Sequence, residues 1–155
     1  MKTIWFSGKD EEKLVNIAEE VGAELITRNC FVELIVHSEV REILGRGLNN
    51  DEDGNSEFAI RLGFLGNLLH RNSVFALIVS PYLNESTSSK IKEEYGNFIH
   101  VSFDKSDKDP VECAEEISKD LDSKKLIPFE ESGTAVYSKD EEEEIRRRLE
   151  ELGYV

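Results

Sequence analysis

In Ile4-Trp5-Phe6-Ser7-Gly8-Lys9-Asp10-Glu11-Glu12-Lys13-Leu14, an apolar run rich in aromatic and β-branched residues stops at a serine and a glycine and gives way to charge. The pattern predicts a buried strand, a turn and the start of a helix, whose apolar face continues at Leu14, Ile17, Ala18, Val21 and Leu25. A turn between strand and helix encloses a polyphosphate when it reads Gly-x-x-x-x-Gly-Lys-Ser/Thr, because backbone N–H groups and the helix start then surround the anion. The second glycine and the Lys-Ser/Thr pair are absent here. Asp10, Glu11 and Glu12 stand at the helix start instead, and in a partly desolvated site they would repel an anion by about a few kcal/mol.

The remainder repeats the alternation. Thr3–Ser7, Phe31–Val36, Val74–Val79, Phe98–Phe103 and, more weakly, Thr134–Tyr137 read as strands, nearly continuous in apolar character and therefore covered on both faces. Helical spacing recurs in Phe58, Leu62, Leu65 and Leu69 and in Val111, Ala114, Ile117 and Leu121. A βαβα order implies right-handed crossovers and a three-layer α/β/α domain around a parallel sheet. Gly45–Ser56, rich in Gly, Asn and Asp, reads as a loop. The last helix is capped by Ser138 with Glu141 three residues on, begins in Asp140–Glu144, continues through Arg146–Arg148 and stops at Gly153. Its glutamates read as a solvated helix end.

At 155 residues, 39% apolar and 34% charged, the chain suits one domain with one core, spanning 1–155. A formal net charge of −14 argues against a nucleic-acid or anionic-membrane surface, since long-range attraction to phosphate has the wrong sign. Cys30 and Cys113 lie far apart and fit neither a disulfide framework nor a zinc spacing. The longest apolar run, from Val74 up to Ser80, is far too short to cross a membrane, and no signal peptide is legible, so a cytoplasmic location is expected. No glutamine and a single methionine beside many Glu, Lys and Arg suggest a thermophilic source.

Trp5-Phe6-Ser7-Gly8, Glu39-Val40-Arg41-Glu42, Gly47-Leu48-Asn49, Ala59-Ile60-Arg61-Leu62-Gly63 and Ile78-Val79-Ser80-Pro81-Tyr82, with Leu152-Gly153-Tyr154-Val155 at the end, resemble the adenylylsulfate kinase family in order and rough spacing. The resemblance implies a P-loop kinase fold with a five-stranded parallel sheet, often as a homodimer. It also implies phosphorylation of the ribose 3′-hydroxyl of adenosine 5′-phosphosulfate (APS) by ATP with magnesium.

The departures from that family point the other way. Its Asp-Gly-Asp after the second strand is Val36-His37-Ser38 here, and valine neither serves magnesium nor takes a proton. Its Arg-x-x-Asn falls on Ser56 and Ala59, the arginine after Ser-Pro-Tyr is Leu83, and its basic lid has no counterpart in Asp122–Ser138. Ser7, Gly8 and Lys9 are then a degenerate phosphate loop, although Lys9 or Lys13 could replace the missing lysine from another backbone position. An APS-like ligand is left with Arg41, Arg61, Ser80, Pro81 and Tyr82. Arg41 and Arg61 could equally be surface ion-pairing residues, and Pro81 a strand stop. His37 could act as an acid or base, but no carboxylate is placed to orient it, so no catalytic residue is assigned. His37, His70 and His100 have no metal-site spacing, and neither a metal nor ATP with magnesium is expected as a cofactor.

The expected function is that of a non-catalytic relative, a pseudokinase. It would bind APS or its 3′-phosphorylated product (PAPS), or pair with itself or with a sulfate-metabolism enzyme such as ATP sulfurylase. The alternatives are an active small-nucleotide kinase or transferase with a rebuilt phosphate site, and a purely structural subunit.

Overall fold

A computed structural model describes residues 1–103, 108–126, 146–148, 150–151 and 153. The elements run β1 (Thr3–Ser7), α1 (Glu11–Thr27), β2 (Phe31–Val36), α2 (His37–Leu44), α3 (Glu52–Arg71), β3 (Val74–Val79), α4 (Glu85–Tyr95), β4 (Ile99–Ser102) and α5 (Pro110–Ser123). The strands form one sheet in the order β2-β3-β1-β4, parallel throughout, with Ile4 opposite Leu77 and Ile99, and Leu34 opposite Leu77. Among the described residues four strands stand where five were expected. The fifth expected strand, Thr134–Tyr137, lies outside the described residues, as does most of the expected C-terminal helix, of which Arg146–Arg148 are helical.

The period-two alternation of side chains divides the core between the two faces of the sheet. Ile4, Phe6, Phe75, Leu77 and Val79 pack with Ile17, Val21 and Leu25 of α1 and with Ile117 and Leu121 of α5. Trp5, Ala76 and Ile78 face the other way, against Phe58 and Leu62 of α3 and Ile91 of α4. Close approach of α3 to α4 depends on Gly63, where a Cβ would lie 2.7 Å from the Ile91 side chain. At the far end of this scaffold Arg28, whose side chain is only 7% exposed, pairs with Glu24 at 2.8 Å and with Asp122, joining the ends of α1 and α5. These carboxylates, Asp122 first, hold the guanidinium proton more tightly than usual. Removing one partner of such a pair strands the others, so Arg28→Ala is expected to lower urea stability by about 2 kcal/mol, moderated by the half-exposed carboxylates. An effect within experimental error would mean that the pair adds nothing to docking of α5.

One expectation is corrected and one helix was missed in the sequence. Gly45–Ser56 is not all loop: α3 begins at Glu52, because Asp51 Oδ1 accepts from the Gly54 N–H at 2.8 Å and Glu52 and Asp53 complement the helix dipole. Helix α4 went unread because only Thr87, Ser88 and Ile91 of it are buried and its apolar periodicity is faint; Asn84 caps it by accepting from the Thr87 N–H at 2.8 Å. Among the described residues no helix is long and apolar enough to cross a membrane.

Candidate functional site

Helix α1 follows β1 onto one face, whereas α4 follows β3 onto the other, so the chain diverges between the carboxyl ends of these neighbouring strands. Open parallel sheets bind ligands at such a divergence. Ser7 closes β1, His37 follows β2 and Ser80 follows β3, all at this edge.

Ser80 is the hub. Its N–H donates to the Phe6 carbonyl at 3.0 Å, its carbonyl accepts from Trp5 Nε1 at 3.4 Å, and its Oγ shares a 3.0 Å hydrogen bond with His37 Nδ1. Both members of that pair are buried. The His37 ring stands edge-on to Phe58 at 4.8 Å and lies 5.1 Å from Tyr82, which is 48% exposed. Burial pushes the His37 pKa down and Arg41 adds to this, against an opposing pull from Glu11. His70 is shifted the same way, chiefly by burial. Unfolded chains then bind more protons than folded ones as pH falls below the ordinary histidine value of about 6.5, so stability present above that pH is lost below it. Replacing His37 by Asn should flatten the stability profile just below pH 6.5 in urea titrations; an unaltered slope would place the proton uptake elsewhere.

The sequence-predicted cations do not converge on this edge as free groups. Arg41 Nη2 donates to the Asn49 carbonyl at 2.8 Å and to Asn50 Oδ1 at 3.2 Å, while its guanidinium covers Phe58 at 4.8 Å. Arg61 Nη1 donates to the Leu44 carbonyl at 2.7 Å and Nε lies 3.6 Å from Glu57. Both secure the segment between α2 and α3. Ser80, Pro81 and Tyr82 do come together with His37, and Pro81 and Tyr82 wall a cleft of about 610 Å³ between the starts of α3 and α4. Its other walls include Ser56 and Leu83, which the sequence marked as departures from the family, and Asp51, Glu52, Asn55 and Thr87, which were not singled out there. The capping residues Asp51 and Asn84 were the signal available there.

At the end of β1, only Gly8-Lys9-Asp10 separates Ser7 from Glu11. Asp10 Oδ1 accepts from the Lys13 N–H at 3.1 Å, so the chain's own carboxylate sits where a phosphate would meet the helix start. Lys9 is exposed, and the Ser7 hydroxyl shares a 2.7 Å hydrogen bond with His100 Nε2. These residues do not fit a magnesium-bound polyphosphate: the connection is too short to wrap one and its first helical turn is acidic. Among the described residues no cluster of three His, Cys, Asp or Glu could hold a metal ion.

The strand order and the divergence at β1 and β3 define a three-layer parallel α/β domain of the nucleotide-binding kind. The family model described as adenylylsulphate kinase matches residues 1–128, and the chain belongs to that family within the P-loop kinases. An adenylyl-sulfate kinase of Microcystis aeruginosa is 31% identical over 101 residues, covering 64% of this chain and 55% of the relative. The chain thus spans about half the length of the curated relatives it matches. The Mycobacterium tuberculosis APS kinase CysC superposes with a TM-score of 0.68 at 19% identity, covering 77% of this chain and 96% of that one. The same enzyme in complex with AMPPNP and APS gives 0.60 at 18% identity, covering 96% of each chain. At these identities the superpositions establish the fold, and the sheet described here carries four of the strands expected of it.

Proposed function

We propose that this chain is a non-catalytic member of the adenylylsulfate kinase family that binds an adenine nucleotide or nucleoside at the carboxyl edge of the sheet without transferring phosphate. The three-residue Gly8-Lys9-Asp10 connection, with Asp10 capping α1, carries the reading, since it leaves ATP without the amides and lysine that would hold its phosphates. Family membership and the complex of a solved relative with AMPPNP and APS support an adenylyl ligand, and the Ser80–Tyr82 edge with its cleft supports the place. Calorimetric titration with magnesium-ATP is expected to give no saturable heat. Saturable binding that Lys9→Ala abolishes would favour instead a phosphate site rebuilt around Lys9.

A further inference from the structure

We propose that the cleft between the starts of α3 and α4 selects an uncharged nucleoside over its phosphorylated or phosphosulfated forms; this rests on the adenine-ligand reading above and narrows it. At about 610 Å³ the cleft falls within the range of small-molecule sites, roughly 300–1,000 Å³. Among the described residues neither Lys nor Arg lines it. Helix starts ordinarily attract anions, but the Gly54 N–H is taken by Asp51 and the Thr87 N–H by Asn84. The walls therefore offer side-chain amides, hydroxyls and the carboxylates of Asp51 and Glu52. Carboxylates accept from the hydroxyls of a ribose diol and repel a phosphate. The Arg41 guanidinium is held by the Asn49 carbonyl and by Asn50, and steadies the latter, a wall residue of the cleft.

A second feature, independent of the acidic walls, points to a ligand with a flat ring. Tyr82 exposes about half of its surface, and His37 lies 5.1 Å from it at 8% exposure. Ser80 fixes His37 through Nδ1, and the ring backs Tyr82, which walls the cleft. A half-exposed aromatic face in the cleft, held by a fixed imidazole behind it, is suited to stacking on a heterocyclic base. The imidazole is a poor partner for a phosphate, because burial disfavours its charged form.

Titrating the full chain with adenosine, AMP and APS tests this. Adenosine is expected to bind about tenfold tighter than AMP or APS at low salt, and the gap should narrow to about threefold at high salt or in the Asp51→Asn/Glu52→Gln double variant. The asparagine retains a capping side chain, so the variant keeps its fold. The His37 ring resonances should move on adding adenosine. AMP or APS binding as tightly as adenosine, a gap unchanged in the double variant, unmoved His37 resonances or no adenosine binding would each overturn the proposal. Tight APS binding without phosphoryl transfer would leave the non-catalytic reading standing, whereas phosphoryl transfer would remove that reading and leave the nucleoside preference to be judged on affinity.

Discussion

A chain carrying Gly54→Ala is expected to unfold about 2–4 kcal/mol more easily than the parent and to lose binding in the cleft. Gly54 is the third residue of α3, and a Cβ there would lie 2.0 Å from the Asn49 carbonyl oxygen, 2.9 Å from its carbon and 3.0 Å from its nitrogen. All three are backbone atoms, so no side-chain rotation relieves the clash. Alanine is the better helix former by about 1 kcal/mol, but that gain is smaller than the cost of displacing a turn. Moving Asn49 also removes one of the two acceptors of Arg41 Nη2, in a guanidinium whose Nη1 is already buried without a hydrogen-bond partner among the described residues. The Asp51 cap, which accepts from the Gly54 N–H itself, goes with it. Urea unfolding with an unchanged m-value measures the loss. Unchanged stability would show that the turn before α3 yields freely and does not set the cleft wall.

Phosphoryl transfer from ATP to APS is expected to run at least about ten-thousand-fold below a competent kinase, because two missing charge-stabilising groups at about 3 kcal/mol each already amount to roughly that factor. The carboxylates at the end of β2 are replaced by Val36-His37-Ser38, with His37 turned into a pocket of aromatic rings. The lysine and hydroxyl of a phosphate loop are absent, and Asp10 caps the helix in their place. Positioning and charge stabilisation supply nearly all of the catalysis in this chemistry, so a large loss is expected. A coupled assay with APS and magnesium-ATP reads the rate. Turnover within about a hundredfold of a competent enzyme, lost in Arg61→Ala or Lys9→Ala, would defeat the non-catalytic reading.

Much of the fold was legible because its strands are short, apolar runs punctuated by Gly, Ser and Asn. Thr3–Ser7, Phe31–Val36 and Val74–Val79 emerge with the expected boundaries, and Ile99–Ser102 lies inside the expected fourth run. Reading failed where the signal was polar: α4 hides its few buried residues in a Ser, Thr and Lys sequence, and the start of α3 resembles a loop because capping chemistry and turn chemistry use the same residues. At the site, Ser80, Pro81 and Tyr82 fell where strand ends place them. Arg41 and Arg61 were visible as cations, but nothing in their local sequence reveals that both would be drawn to backbone carbonyls.

The sequence by itself determined the layered α/β class, the family and the lack of a phosphate-binding motif, since each is written in local pattern: apolar periodicity, motif order and the absence of particular residues. Tertiary structure alone decided what stands in place of the missing parts. It brought His37 against Phe58 of α3 and against Ser80 and Tyr82 after β3, spent Arg41 and Arg61 on carbonyls, and joined the starts of α3 and α4 into one cleft. The reason is that a side chain's partner, and hence its charge, freedom and burial, depends on distances between segments far apart in the chain, which local pattern does not encode.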